Sequence, residues 1–237
     1  LTVFSEMCVT GYPARDLLER TAFLDAQDRA LEHLCHELRG LPVILGFAQR
    51  RLNGEGNSLY NACALLDQGQ MIAVGHKCLL PTYDVFDEDR YFEPSSAPTL
   101  ITFKSRRFGL AICEDYWNDK DFWATHRKYV CDPIEQLIKL GADVLISLNA
   151  SPYAIGKQTA KEKMLGALAK KHARPLLYAN QVGGNDDLLF DGRSLAFDAR
   201  GELFARGPAF EEAVIVVELP EVTRRESSGD TTMFMRR

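Results

Sequence analysis

One cysteine, Cys113, follows the apolar run 110–112 and leads directly into two acids, Glu114 and Asp115. Neighbouring carboxylates raise a thiol's pKa, so a nucleophilic cysteine here needs a cation to offset them and a base to take its proton. Two stretches offer those groups. "VFSEMCVTGYP" places Glu6 just after a short apolar run and ahead of a Gly-Tyr-Pro turn. "VGHKCLLPTYDVFDEDRYFEP" places Lys77 at the end of the strand-like "MIAVG", before a proline turn and a dense aromatic and acidic segment. All three residues fall at or near strand ends, where a side chain can point into a cleft. Taken singly, they also fit a buried small hydrophobe, a solvated strand-end acid and a surface lysine.

Other nucleophile systems find less support. His33, His36 and His172 fall within helical patterns and His126 within a polar loop, so no papain-like histidine is evident; only His76, beside Lys77, is expected near the site. No G-x-S-x-G elbow for serine hydrolysis occurs. The six cysteines (Cys8, Cys35, Cys63, Cys78, Cys113 and Cys131) have no C-x-x-C spacing, which argues against a zinc site or a disulfide framework and for reduced thiols.

The elements that must position these residues are legible as apolar, β-rich runs at 41–48, 59–66, 107–113, 143–149, 175–180 and 213–219. Between them Leu17, Leu24, Leu31, Leu34 and Leu38 follow a helical period, as do Met164, Leu165, Leu168 and His172. Several strands are apolar throughout, which implies cover on both faces, and 193–206 alternates around a turn at Arg200 and Gly201. A mixed sheet with alternating helices follows.

With 237 residues and 46% hydrophobic content the chain can bury a core of its own, read as one domain over 1–220 and a tail or linker over 221–237. A net charge of -5 with no Lys/Arg run longer than two argues against nucleic acid or an anionic membrane as partner. No apolar stretch approaches the roughly 20 residues of a membrane span, and a cytoplasmic protein is expected.

The blocks "SEMCVTGYP", "HKCLLPTYDVFDEDRYF", "ICEDYW", "NASPY" and "VGGNDDLLFDG" together resemble the carbon-nitrogen hydrolase (nitrilase) superfamily. The branch they resemble most is the glutaminase domain of the glutamine-dependent NAD+ synthetases. The resemblance implies an α/β fold, a four-layer α-β-β-α sandwich. It implies a catalytic triad of Glu6 as general base, Lys77 as the cation at the oxyanion and Cys113 as nucleophile, with Glu88 as supporting glutamate and the Glu114 N–H as second oxyanion donor. Tyr83, Ser151 and Lys157 match positions that hold glutamine, with Tyr12 and Trp117 lining the pocket. Free glutamine needs a cation, hydroxyl donors and an acid, and Lys157, Ser151, Tyr83 and Glu114 are of those types.

No metal or other cofactor is implied for glutamine hydrolysis. ATP would enter only through a synthetase domain, the expected partner, whose Ser-Gly-Gly-x-Asp-Ser loop does not occur here. A homo-oligomer is expected. Relatives begin with a strand and helix ahead of the Glu6 block, so an upstream segment is expected to be missing, and 122–137 is longer than in many relatives. A stand-alone amidase or carbamoylase is the alternative; a catalytically silent docking or regulatory domain is the alternative of another class.

Overall fold

The computed structural model describes residues 1–52, 55–123 and 127–219. In chain order the elements begin with β1 (Thr2–Val3), α1 (Thr21–Glu37), β2 (Val43–Arg50), β3 (Leu59–Asp67) and β4 (Gln70–His76). Next come β5 (Thr99–Phe103), β6 (Arg106–Ile112), α2 (Pro133–Lys139), β7 (Val144–Asn149), α3 (Lys157–His172) and β8 (Leu176–Asn180). The last are β9 (Val182–Asn185), β10 (Leu188–Asp191), β11 (Leu195–Phe197) and β12 (Leu203–Arg206).

The strands form two mixed sheets and a hairpin. One sheet runs β1-β2-β3-β4, with β1 parallel to β2 and the rest antiparallel; the other runs β12-β11-β8-β7-β6-β5, its central β6, β7 and β8 parallel. A strand period of two sends alternate side chains to opposite faces. Ile44, Cys63 and Leu65 of the first sheet therefore meet Leu110, Ile112, Ile146 and Leu148 of the second in a core between the sheets. The intervening residues face outward under helices. Val43, Leu45, Phe47, Ala62 and Ala64 pack beneath Leu31 and Leu34 of α1. Ala111, Leu145, Leu176 and Tyr178 pack against Ile134 and Leu137 of α2 and Met164, Leu165 and Leu168 of α3. This is the α-β-β-α sandwich, and it explains why so many strands read as continuously apolar.

Three details depart from expectation. The 213–219 run forms no strand: Ile215, Val217 and Leu219 are half-buried while Val214 and Val216 are exposed, but the segment joins no ladder. Alternation without a partner edge is not enough to make a strand. Leu17 lies outside α1, exposed in a 3-10 turn over Arg15–Glu19. "VGGNDDLLFDG", unread as strand because glycines and aspartates break its pattern, forms the β9–β10 hairpin around Asp186 and Asp187. Among the described residues no helix is long and apolar enough to cross a membrane. His126 and the tail 221–237 lie outside the described residues.

Candidate active site

The parallel strands β6, β7 and β8 end together, and the crevice beyond the carboxyl ends of such strands is where α/β sheets bind ligands. Cys113 is the first residue after β6, Ala150 and Ser151 follow β7, and Asn180 ends β8. Cys113 opens a 3-10 turn, Cys113–Tyr116, with φ of 44°. A non-glycine residue in this left-handed region costs roughly 1–3 kcal/mol and persists only where its surroundings fix it. Asp115 supplies that fixation. Its carboxylate accepts from the backbone N–H of Ile112 (2.9 Å), Cys78 (3.0 Å) and Leu79 (2.9 Å), so one buried side chain ties the turn to the segment just past β4. Burial pushes Asp115 up to about 7 even though those N–H groups and Lys77 favour its charge.

Lys77, the first residue past β4, is a buried cation between two buried carboxylates. Its Nζ donates to Glu6 Oε1 at 2.8 Å and to Glu88 Oε1 at 2.7 Å, and its side chain is 0% exposed. Glu6 follows β1 closely and is 1% exposed, so neither a solvated acid nor a surface lysine describes these residues. Gly46 permits the approach of the Glu6 segment to β2: an added methyl would collide with the Met7 nitrogen and the Ser5 carbonyl. Burial alone would lower Lys77, but Glu6 and then Glu88 outweigh it and hold the ammonium well above its ordinary range. An ammonium has three donors. Two go to the carboxylates, and one is left for a further partner.

Glu6 is hydrogen-bonded on every side but one. Besides Lys77 it accepts from Asn61 Nδ2 on Oε1 (2.7 Å) and from the Ala150 N–H on Oε2 (2.9 Å). Of the roughly four acceptor sites of a carboxylate, one remains. Glu88 accepts from Lys77 and the Tyr12 hydroxyl (2.8 Å) on Oε1 and from Asn61 (3.3 Å) on Oε2. Burial pushes it up to about 7, Lys77 opposing and Glu6 reinforcing.

Cys113 lies in the field of this cluster. Burial first, then Glu6, push its thiol well above the usual range; Lys77 pulls it back, and Glu114 and Glu88 add to the rise. Glu114 accepts from the Tyr83 hydroxyl at 2.8 Å on both oxygens and from the Tyr129 hydroxyl at 3.2 Å. Burial raises Glu114 too, against both phenols and Lys77. Lys157 is the first residue of α3; its Nζ donates to the Pro152 carbonyl (3.2 Å) and sits 5.8 Å from the ring centre of Trp117. Ser151 is buried, with its N–H on Asn180 Oδ1 at 3.0 Å. Tyr12 is buried and its hydroxyl is spent on Glu88. His76 stands apart on β4, its ring stacked on Tyr60 at 4.2 Å and hydrogen-bonded to Gln49. A groove of about 440 Å³ between 13–20 and 85–92 reaches Tyr12 and Glu88 but not Cys113, Ser151 or Lys157, so it flanks the supporting glutamate and not the thiol.

Sequence reasoning missed Asn61, Tyr129 and the part played by Asp115. Asn61 carried a signal: it is the polar residue inside the apolar run "LYNACALL", and a buried polar group needs partners. Tyr129 carried none, since only the chain's path from β6 to α2 brings it to Glu114.

A buried cysteine at a sheet end thus lies in the field of a Glu-Lys-Glu cluster within an α-β-β-α sandwich. The chain belongs to the carbon-nitrogen hydrolase family, whose sequence profile matches residues 1–226, and is a hydrolytic enzyme. It is 38% identical over 236 residues to a glutamine-dependent NAD(+) synthetase of Synechocystis, covering 98% of this chain and 41% of that protein. A Thermotoga maritima protein of the same description is 35% identical over 225 residues, covering 92% of this chain and 36% of the relative. Among solved structures, the glutamine-dependent NAD+ synthetase of Acinetobacter baumannii superposes with a TM-score of 0.78 at 34% identity, over 89% of this chain and 37% of that one. An amidase from Nesterenkonia sp. shares the fold, with a TM-score of 0.68 at 20% identity over 87% of this chain and 72% of its own. The chain thus spans about two fifths of the length of the synthetases it matches.

Proposed function

We propose that this chain hydrolyses glutamine to glutamate and ammonia and supplies the ammonia to a synthetase domain that amidates nicotinic acid adenine dinucleotide at the expense of ATP. The observation that carries the chemistry is the spare donor on Lys77 and the spare acceptor site on Glu6, two groups whose charges act on a strained, buried Cys113. Glu6 takes the thiol proton as Sγ attacks the carboxamide carbon. Negative charge develops on the carboxamide oxygen, and the third N–H of Lys77 and the Glu114 N–H receive it. The C–N bond breaks, ammonia leaves with the proton from Glu6, and a thioester remains. Glu6 then takes a proton from water, hydroxide adds to the thioester, and the C–S bond breaks to return the thiol and release glutamate. No metal or organic cofactor enters this sequence. Glu88 and Asn61 position Lys77 and Glu6 and do not themselves react.

Support for glutamine over a neutral amide comes from the two charges at the site, Glu114 and Lys157, which suit an α-ammonium and an α-carboxylate, with Tyr83 on the first and Trp117 beside the second. The 34–38% identity to synthetases described as glutamine-dependent points the same way. The test is ammonia release from glutamine by the purified chain, alone and with a synthetase domain, together with labelling by a diazoketone analogue of glutamine. Label is expected on Cys113 alone, and Cys113→Ala should fold but release no ammonia. Burial pushes Cys8 up to about 11 and Cys63 up to about 12, and among the described residues neither has a cation acting on it as Lys77 acts on Cys113. Labelling at Cys8 or Cys78 instead would sink the assignment of Cys113 as nucleophile, and turnover of simple amides in preference to glutamine would favour the stand-alone amidase reading.

A further inference from the structure

Beneath the expected substrate site lies a cation that the mechanism above does not use. Lys161 is one turn along α3 from Lys157, the i,i+4 spacing that puts two side chains on the same helix face. It is 2% exposed, yet among the described residues its ammonium makes no hydrogen bond or ion pair; its recorded contact is the ring of Tyr178, 5.0 Å away. The Tyr178 hydroxyl is buried too, and the group nearest to partnering it is the Ser151 hydroxyl, which falls short of a well-formed hydrogen bond. Two strong donors therefore lie together in the interior, and among the described residues Lys161 has no direct hydrogen-bond or ion-pair partner. An unmatched buried ammonium is costly, so such an arrangement persists where something else supplies the acceptor.

The surroundings show what kind of acceptor fits. Lys161 is lowered to about 8, chiefly by burial, with Lys157 and Arg193 lowering it further while Asp191 and Cys113 raise it. Tyr178 is raised well above its ordinary range by burial and by the Cys113 thiol, so its hydroxyl stays protonated; Ser151 is its hydroxyl neighbour. Asp191 is the acid that acts most strongly on Lys161, and Arg193 pairs with it at 3.6 Å. The N-terminus of α3 adds its positive end to the same place. Two ammoniums, two hydroxyls and a helix N-terminus near the nucleophile describe a receptor for an anion.

We propose that Lys161, with Tyr178, forms the inner half of a carboxylate subsite that Lys157 closes from outside, so that the substrate is an amide carrying its own carboxylate. The proposal rests on the glutaminase reading and sharpens it, because it makes a buried residue, and not only the one at the mouth of the pocket, responsible for choosing the substrate. It also assigns the α-ammonium no part at this subsite. Glutaramate, which keeps the chain length and carboxylate of glutamine and lacks the amine, should engage Lys161 as glutamine does, whereas glutaminamide, whose carboxylate is blocked, should not.

The experiment measures kcat and KM of the full 237-residue chain and its Lys161→Met and Lys161→Arg variants on glutamine, glutaramate and propionamide. Circular dichroism checks that each variant folds. Loss of a charge-assisted contact predicts that Lys161→Met lowers the preference for glutamine and glutaramate over propionamide by about ten- to a hundredfold, mainly through KM. Lys161→Arg should restore most of it. A second readout is the alkaline side of the pH profile. In the wild type, KM for glutamine should rise as pH passes about 8 and Lys161 loses its proton, and this rise should vanish in Lys161→Arg. Equal losses on all three substrates, or an unchanged preference in Lys161→Met, would overturn the subsite and leave Lys161 a packing residue. Failure of the wild type to act on glutamine or glutaramate at all would instead overturn the glutaminase reading.

Discussion

Asp115 offers a quantitative test of how the nucleophile is held. Three buried backbone N–H groups, from Ile112, Cys78 and Leu79, end on its two oxygens at 2.9–3.0 Å. Asp115→Ala strands all three. At about 1–3 kcal/mol for each unsatisfied buried donor, the loss is about 3–9 kcal/mol, enough to endanger a domain whose total stability is on the order of 5–15 kcal/mol. Asp115→Asn is the informative variant. Its amide oxygen can still accept from Cys78 and Leu79, while its NH2 faces the Ile112 N–H, so one donor is stranded and about 1–3 kcal/mol is lost. Urea unfolding followed by circular dichroism at pH 8, above the value of about 7 to which burial pushes Asp115, compares each variant with the ionised side chain. The Asn variant should also lose turnover beyond its stability loss, because Cys113 keeps its left-handed conformation only while the turn is anchored. An Ala variant within about 1 kcal/mol of wild type, or an Asn variant as damaged as Ala, would refute this account of the turn.

Glu88 titrates upward, to about 7, so its protonated form is favoured in the folded state. The stability this gives is fully present below the unfolded value near 4.3 and is lost as pH rises through about 7. Melting temperatures at pH 5 and pH 8 should therefore drop more for wild type than for Glu88→Gln; parallel behaviour would remove the coupling between Glu88 and its buried neighbours. Lys157→Met, which keeps much of the side chain's length, should weaken glutamine turnover mainly through KM, by about 1.5–3 kcal/mol if a charge-assisted hydrogen bond is lost. An equal loss on propionamide would place Lys157 in the scaffold.

The layers were legible because a strand covered on both faces must be mostly apolar, and 41–48, 59–66, 107–113 and 143–149 are, with Asn61 and Ser147 as polar residues inside the runs. The segment 213–219 has the same composition and still forms no strand, since pairing depends on an edge elsewhere in the fold that a local pattern does not encode. Glu6, Lys77 and Cys113 were readable as strand-end residues. Their burial was not, because a lysine becomes tolerable in a core only when two carboxylates from 71 and 11 residues away arrive at its ammonium. Asp115 shows the same limit from the other side: in sequence it opposes the thiolate, whereas in the fold its charge is occupied by three backbone donors from two separate segments.

The electrostatics also decide when the thiol ionises. A cysteine paired with an imidazolium can rest as a thiolate, but here burial and Glu6 favour the neutral thiol more than Lys77 favours the anion. His76, the nearest histidine in sequence to the site, is engaged with Gln49 and Tyr60. In the proposed reaction, then, the proton leaves Sγ only as the bond to carbon forms, and charge passes from sulfur to the substrate oxygen, which Lys77 meets with its unused N–H. That order favours a substrate already seated over an indiscriminate electrophile, because the energy to ionise a buried thiol must come from contacts the substrate itself makes. General thiol reagents of similar size, lacking those contacts, should alkylate Cys113 slowly compared with a glutamine-shaped electrophile. A Cys113 that reacts with iodoacetamide as fast as an unburied cysteine such as Cys131 would show that the thiolate forms without substrate.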